Sequence, residues 1–206
     1  MGINFKLYLL NDFFNRYKWM KFASEMKLRE AINLFYMMNG FPSDGGVSQD
    51  KWSPFGCRDL KVYLPNFEWR KKAIPFHDLH HILTGYPCSP IGEFQMSAWE
   101  FAAGKYPNLY TTLFCIPLVS MGAILIPKKQ FQAFVRGRQS KTLYENYSYD
   151  ALLDMTIGEM REEILPKSHY KANVKDFYQY IRLVSLSGVV VLTPFLTMFF
   201  IVKGLI

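Results

Sequence analysis

Two long stretches without a charged residue constrain the fold more than any other feature of this 206-residue chain. Tyr106 to Pro127 is free of charge for 22 residues, and Leu183 to Val202 for 20 residues. Segments of this kind must be packed against other elements or inserted into lipid. Because Pro107, Pro117 and Pro127 interrupt the first stretch, it predicts a buried helix pair rather than a membrane span.

The second stretch has the length that a bilayer-spanning helix requires. Its serines and threonines and the central Pro194 count against a span, although membrane helices tolerate such residues. Two interpretations therefore stay open for residues 183–202. The segment is either a membrane span or membrane-embedded tail, or else a buried helix or the wall of an apolar lipid cavity.

The rest of the chain shows helical periodicity and almost no strand alternation, which predicts a single all-α domain over residues 1–206. Leu10, Phe13, Phe14, Tyr17 and Met20 recur at helical spacing, so this segment is either a core helix or one that lies on an anionic bilayer. Further helices are expected at residues 22–38 with Ser24 as a cap, at 128–139, at 150–164 and from about 170. Residues 52–75, which contain three prolines, are expected to be irregular.

Composition favours a membrane surface over nucleic acid as the anionic partner. The net charge is +7 and the pI is near 9.2, but 18 Phe, 13 Tyr and 4 Trp are spread through apolar stretches, unlike a nucleic-acid-binding arm. The three cysteines, Cys57, Cys88 and Cys115, form no CxxC pair, so we expect reduced thiols in a cytoplasm or matrix and no thiolate zinc site.

Three of the four histidines lie within residues 77–81. On a helix that turns by about 100° per residue, His81 lies about 40° and Asp78 about 100° from His77. One side of the helix then presents two imidazoles and a carboxylate. His80 lies at about −60° and is interpreted as a packing or supporting residue.

The residues after this helix predict a return that adds one more carboxylate. Gly85 can take the positive φ of a helix-ending turn. Ser89 and Pro90 can cap and begin the next helix, with Glu93 in its first turn. An antiparallel return would bring Glu93 back towards His77, Asp78 and His81.

Two imidazoles with one or two carboxylates suit Zn²⁺, and Fe²⁺, Mn²⁺ and Co²⁺ are alternatives. If only three groups bind, an open position is left for water or substrate. The pattern differs from the HExxH helix of zincins, in which the second residue is a Glu that acts as general base. The shorter Asp78 is expected to coordinate the metal rather than reach a distant water. Spacing alone leaves a second interpretation open, in which the histidines are packed and satisfied by Asp78, Tyr86 or backbone groups.

The residues His77-Asp78-Leu79-His80-His81, followed after eleven residues by Glu93, resemble the HDxxH…E signature of the "Coq four" family of ubiquinone (coenzyme Q) biosynthesis. The similarity covers about residues 58–125. It implies an all-helical, membrane-associated protein with a metal, usually zinc, bound by His77, Asp78, His81 and Glu93. It also implies polyprenyl-lipid binding and a role in quinone assembly, either as an organiser of the enzymes or as the catalyst that removes the ring carboxyl at C1.

On this resemblance we expect the partners to be a polyprenyl lipid, a membrane surface, other quinone-biosynthesis proteins and a second copy of the chain. No transit peptide is recognisable, which favours a bacterial member on the cytoplasmic side of a membrane. The lipid tail is expected in an apolar groove lined by Leu113, Phe114, Ile116, Leu118, Val119 and Met121, although such residues also suit a core. Arg58, Arg70, Lys71 and Lys72 either hold an anionic head group or form a solvated face.

Catalytic residues cannot be assigned from the pattern, and three function classes remain. The first is a metal-dependent decarboxylase, which would need iron or dioxygen if the reaction is coupled to hydroxylation. The second is a lipid-binding scaffold in which a closed metal site ties two helices together. The third is a lipid hydrolase, for which Glu100 is the nearby candidate base.

Overall fold

A computed structural model describes residues 22–49, 51–57, 60–166 and 171–204. The side chains of residues 54–57, 60–62, 195–196, 198–202 and 204 lie outside that description. The predicted N-terminal helix through Leu10 to Met20 also lies outside the described residues.

The described chain contains eight helices and one small hairpin, so the prediction of an all-α domain is confirmed. The elements are α1 (Leu28–Asn39), β1 (Trp52–Cys57), β2 (Leu60–Pro65), α2 (Glu68–Thr84), α3 (Pro90–Ala103), α4 (Leu109–Leu125), α5 (Pro127–Gly137), α6 (Tyr149–Leu153), α7 (Ile157–Ile164) and α8 (Val174–Gly204).

The main core lies between α1, α2, α3 and α7. Helix α1 buries Leu28, Ala31, Ile32 and Phe35 at helical spacing, and α7 buries Ile157, Met160 and Ile164 in the same way. These residues pack around Leu79, Ile82 and Leu83 of α2 and Trp99 of α3. Burial of these side chains, each worth roughly 1.5–3 kcal/mol, fixes the helices that carry the histidines.

The prediction that residues 52–75 are irregular is wrong in two respects. Residues 52–57 and 60–65 form an antiparallel hairpin in which Pro54 faces Tyr63. Both strands of a two-stranded ribbon are edges, so a proline without an N–H group is tolerated there. Helix α2 then begins at Glu68 and includes Pro75, because tertiary burial of the helix outweighs the roughly 3 kcal/mol that an internal proline costs.

The prediction of a buried helix pair between Tyr106 and Pro127 is also wrong. Pro107 and Pro127 do mark boundaries, but α4 passes through Pro117 as one helix. Nor is α4 buried all round, since six of its large apolar side chains are exposed, at Leu109, Tyr110, Leu113, Met121, Ile124 and Leu125.

The other helix boundaries differ from prediction for identifiable reasons. Helix α1 begins at Leu28 rather than near residue 22, and Ser24 does not cap it. The expected helix at 150–164 is divided because Thr156 forms a capping box with Glu159 and so starts α7. The helix expected at 128–139 is α5, and the last helix is α8.

Helix α8 packs along α4, where the Ser120 hydroxyl donates to the Ser187 hydroxyl oxygen at 2.8 Å. Near its start, Tyr180, Leu183 and Val184 join a second apolar cluster with Phe134. Within residues 183–194 the structure exposes Leu186, Val189, Val190 and Leu192, so this part of the segment is not a buried helix. Among the residues that were described, no helix has a stretch long and apolar enough to cross a bilayer.

Candidate metal centre

The α2–α3 turn brings the predicted site residues together. Helix α2 ends where Gly85 adopts φ 77° and its N–H donates to the carbonyl of His81 at 2.9 Å. Ser89 caps α3 by accepting from the N–H of Gly92 at 3.2 Å, which places Glu93 in the first turn as predicted. A Cβ on Gly92 would lie 1.7 Å from the Pro87 carbonyl oxygen, so only glycine allows this close return.

Two arginines hold the end of α2 in place. Arg136 donates to the Thr84 carbonyl at 2.7 Å, and Arg161 donates to the carbonyls of Leu83 and Ile82 at 3.0 Å. These carbonyls have no partner within the helix, and positive charge is favourable at a helix C-terminus. The last turn of α2, which carries His81, is therefore fixed from two other helices.

The resulting His–Glu cluster consists of His77, His81 and Glu93. The two imidazole Nε2 atoms lie 3.1 Å apart. The Glu93 carboxylate lies 3.3 Å from each of them, with Oε2 towards His77 and Oε1 towards His81. One ligand atom from each residue lies within 4.8 Å of the others.

The second nitrogen of each imidazole is held by an acceptor. His81 Nδ1 lies 2.9 Å from the backbone oxygen of Tyr86, which can only accept, so this nitrogen carries the hydrogen. His77 Nδ1 lies 3.1 and 3.2 Å from the two carboxylate oxygens of Glu100 and donates there. In the neutral rings, both Nε2 lone pairs then face each other across 3.1 Å.

Two facing lone pairs require a proton or a cation between them, and a separation of 3.1 Å is compatible with either. Nitrogen and oxygen ligands bound at about 2.0–2.1 Å in tetrahedral geometry are about 3.3 Å apart. The observed separations of 3.1 and 3.3 Å are close to this value. The two 3.3 Å distances involve different oxygens of the Glu93 carboxylate, and the three residues together could hold a divalent cation such as zinc.

Ionised carboxylates strengthen the demand for positive charge. Burial alone would raise the pKa of Glu93, but His81 and His77 hold it at about 2. The pKa of Glu100 is also lowered against its burial by His77 and His80. Burial lowers the pKa of His77, yet Glu100 and Glu93 together raise it well above the ordinary value. In the metal-free protein a proton on His77 supplies positive charge beside Glu93 and Glu100, as a bound cation would otherwise do.

Asp78 lies beside the cluster but is not among its mutually close ligand atoms, as far as the described residues show. It is buried and lines the same pocket as His77 and Glu93. Burial raises its pKa to about 6, while the charges of His77 and His81 and a hydrogen bond from Tyr36 oppose the rise. Ligation by Asp78, which the resemblance implies, stays a prediction.

His80 points away from the cluster, in agreement with its interpretation as a supporting residue. Its ring is fully buried, Nδ1 donates to Glu100 at 2.7 Å, and Nε2 accepts from the backbone N–H of Leu143 at 2.9 Å. Burial lowers its pKa. His80 thus connects α2 and α3 to the segment that follows α5.

Sequence reasoning considered Glu100 only as a base and did not find Tyr144. Glu100 accepts from His77, from His80 and from the Tyr144 hydroxyl at 2.7 Å. Its spacing of seven residues from Glu93 places both on one side of α3, which was the available signal. No local pattern marks Tyr144, because its contact with Glu100 spans 44 residues.

His77 and Glu93 of the His–Glu cluster line a pocket with about 730 Å³ of empty space, a volume that includes open solvent. Its apolar walls include Trp69, Ile74, Phe114 and Leu118. Of the six residues predicted to bind lipid, Phe114 and Leu118 line this pocket, Val119 is buried, Ile116 is half-buried, and Leu113 and Met121 are exposed. Lipid binding by the six residues stays a prediction.

The basic residues before the site are also separated. Arg70 is buried, lines the pocket and donates to the Asn66 amide oxygen at 3.1 Å. Lys71 pairs with Glu68 at 2.9 Å, and Lys72 is exposed. The side chain of Arg58 lies outside the described residues. Of the three described residues of this group, Arg70 alone lines the pocket.

No family model matches the chain, and no curated protein or solved structure gives a significant match. Membership of the ubiquinone-biosynthesis family stays a prediction from residues 77–93 and their surroundings.

Proposed function

We propose that this protein is a metal-dependent component of polyprenyl-quinone biosynthesis that binds a polyprenyl hydroxybenzoate and removes its ring carboxyl. The observation that carries the proposal is the convergence of His77 Nε2, His81 Nε2 and the Glu93 carboxylate at 3.1–3.3 Å, with His77 and Glu93 lining a largely apolar pocket. The resemblance supplies the substrate class, and the geometry supplies a site where a cation and a lipid can meet.

His77, His81 and Glu93 would hold the cation, with Zn²⁺ as the first choice and Fe²⁺, Mn²⁺ or Co²⁺ as alternatives. Asp78 is the fourth ligand if the resemblance holds in full. When bound, the cation supplies Lewis-acid stabilisation of negative charge on the substrate oxygens.

The surrounding residues have two further tasks in this proposal. Trp69, Ile74 and Leu118 provide an apolar wall that excludes water and packs against a hydrocarbon tail. The buried Arg70 adds positive charge near an anionic head group. In the reaction the bond between the ring and the carboxyl carbon breaks, CO₂ leaves, and a proton takes its place on the ring.

The membrane association implied by the resemblance has a matching surface. We define the α4–α8 face as the exposed large apolar side chains of these two packed helices: Leu109, Tyr110, Leu113, Met121, Ile124 and Leu125 of α4, and Val174, Phe177, Tyr178, Ile181, Leu186, Val189, Val190 and Leu192 of α8. Exposed Lys128 and Lys129 follow α4 directly. This combination suits an anionic membrane surface, and we place the protein on the cytoplasmic side of a membrane.

A lipid-binding scaffold that organises other quinone-biosynthesis proteins, or that pairs with a second copy, is the alternative. It is favoured if Asp78 completes a closed four-ligand site, because structural sites leave no position for substrate. A lipid hydrolase is not favoured, because the Glu100 carboxylate already accepts from His77, His80 and Tyr144 and is not free to activate water.

The test is elemental analysis of the purified protein beside its His81→Ala variant, followed by incubation of both with a polyprenyl hydroxybenzoate. Near-stoichiometric metal in the parent, its loss in the variant and CO₂ release by the parent alone are expected. Metal without CO₂ would favour the scaffold. Absence of metal from both proteins would return the histidines to a packing role and overturn the proposal.

A further inference from the structure

Glu100 is a buried carboxylate that the proposed chemistry does not use directly. It is 1% exposed and lies at the centre of a hydrogen-bond network that joins α2, α3 and the segment after α5. A buried charge of this kind is costly unless it is fully hydrogen-bonded. Its partners therefore indicate what it does.

We propose that Glu100 is a positioning residue for the metal site: its carboxylate fixes the ring of His77 with Nδ1 towards itself and Nε2 towards His81 and Glu93. The inference rests on the proposed metal site and adds a residue to it. Of the three proposed ligands, Glu100 contacts His77 alone, as far as the described residues show.

Glu100 sets the direction of the His77 ring. Both Glu100 oxygens lie within 3.2 Å of Nδ1, so a ring flip would place a carbon against the carboxylate and lose both contacts. With Nδ1 held, Nε2 is the only nitrogen left for a cation. A carboxylate that accepts from a ligand imidazole also raises the basicity of its other nitrogen.

The Glu100 carboxylate is itself held in place by two other donors. His80 Nδ1 at 2.7 Å and the Tyr144 hydroxyl at 2.7 Å both donate to Oε1. His80 is in turn fixed by the backbone N–H of Leu143 at 2.9 Å. The direction of the His77 ring is thus set by a chain of contacts that ends in backbone.

The two imidazoles differ in the kind of acceptor that holds Nδ1. His81 Nδ1 donates to the backbone oxygen of Tyr86, which no substitution of a side chain removes. His77 depends on one side chain. The cluster therefore has one imidazole whose orientation is set by the fold and one whose orientation is set by Glu100.

The experiment is titration of the metal-stripped full chain with Co²⁺, with affinity measured by chelator competition and geometry by the visible absorption of the bound ion. Glu100→Gln keeps the size but presents an amide that cannot accept from all three donors. We expect its Co²⁺ affinity to fall by about 10–100-fold, with an altered spectrum. Tyr144→Phe keeps both imidazole contacts of Glu100 but removes one of the donors to Oε1, so its Co²⁺ affinity is expected to fall by less than that of Glu100→Gln.

Ser140→Ala is the matched control for a general loss of stability. It removes the buried hydrogen bond from Trp99, the residue directly before Glu100, at 3.2 Å. Both the affinity and the spectrum of this variant should match those of the parent. If Ser140→Ala lowers Co²⁺ affinity as much as Glu100→Gln does, the positioning role is overturned.

Glu100→Asp covers the case in which Glu100→Gln does not fold. The Asp side chain keeps the negative charge but is one methylene shorter, so its carboxylate lies farther from His77. Its Co²⁺ affinity is expected to lie between those of the parent and Glu100→Gln. Unchanged affinity and spectrum in the Gln or Asp variant, with Co²⁺ bound by the parent, would refute the inference and leave the proposed function intact. A parent that binds no Co²⁺ would overturn both.

Discussion

Helices α2 and α3 place polar side chains in the interior, whereas α4 and α8 place large apolar side chains at the surface. The buried polar groups of α2 and α3 have specific partners, as His80 does with Glu100 and the Leu143 backbone. The apolar side chains of α4 and α8, such as Ile124 and Val189, are instead exposed at the surface. We therefore connect the buried polar network with the proposed metal site and the exposed apolar surface with the proposed membrane association.

The largest expected effect tests the chemical region. Glu93→Gln replaces a carboxylate that lies 3.3 Å from both imidazole Nε2 atoms, so retained metal should fall by more than the roughly 10–100-fold that loss of a ligand's hydrogen-bond partner costs. Elemental analysis after dialysis against a chelator measures it.

Asp78→Asn is the comparison for that variant. The described geometry leaves Asp78 outside the closest group of ligand atoms, so a smaller loss of metal is expected. Losses of equal size would instead indicate the four-ligand site that the resemblance implies and would favour a closed, structural centre.

Truncation in the two regions should differ strongly in its effect on stability. His80→Ala removes a fully buried ring, leaves the N–H of Leu143 without the acceptor it has in the parent, and takes one of the donors away from the buried Glu100 carboxylate. We expect the free energy of unfolding to fall by about 3 kcal/mol or more. Ile124→Ala, at a side chain 79% exposed, should change it by no more than about 0.5 kcal/mol.

Urea unfolding of the two variants beside the parent measures this difference. A large loss for Ile124→Ala would show that the α4–α8 face is covered within the protein's own structure. A small loss for His80→Ala would mean that the network around Glu100 contributes little to the fold.

The same contrast explains what could be predicted from the sequence. His77, His81 and Glu93 are set by the helical repeat and by the Gly85 and Ser89 turn signals, all within 17 residues. The contact between Tyr144 and Glu100 depends on how distant elements pack, which no local pattern specifies. The hairpin was missed because proline argues against a strand in general but not at the edge of a two-stranded ribbon.

Burial along α4 was mispredicted for a related reason. The lack of charge from Tyr106 to Pro127 predicts apolar surroundings, but it does not distinguish a protein core from a membrane or a partner. The exposed Leu109, Ile124 and Leu125 show that protein alone does not provide those surroundings in the described structure.

An intermediate effect is expected from charge placed on the α4–α8 face. The double variant Ile124→Glu with Val189→Glu should bind vesicles of anionic lipid at least about tenfold less well, because each change removes an apolar contact and adds a repelled charge. Its Co²⁺ affinity should equal that of the parent. Vesicle flotation measures the binding.

Met37→Glu is the matched control, since Met37 is an equally exposed apolar side chain on α1. It should leave vesicle binding unchanged. Equal losses in both proteins, or no loss in the double variant, would contradict the assignment of the α4–α8 face to a membrane.

The smallest expected effect concerns how α8 is attached. Burial raises the pKa of Tyr180 to about 12, and its hydroxyl donates to the Gln130 amide oxygen at 2.8 Å. An unfolded tyrosine ionises near pH 10. Between pH 10 and 12 the unfolded chain therefore loses a proton that the folded chain keeps, and Tyr180 contributes a fall in stability as the pH rises through this window.

Tyr180→Phe should lower stability by about 1 kcal/mol at pH 8, through loss of the hydrogen bond, and should make the decline above pH 10 shallower than in the parent. Unfolding by urea at pH 8, 10 and 11 measures both changes. Because the contact joins α5 to α8 and lies outside the His–Glu cluster, Co²⁺ affinity should not change. A change in that affinity would mean that the attachment of α8 and the geometry of the metal centre are coupled, and that the two regions do not act independently.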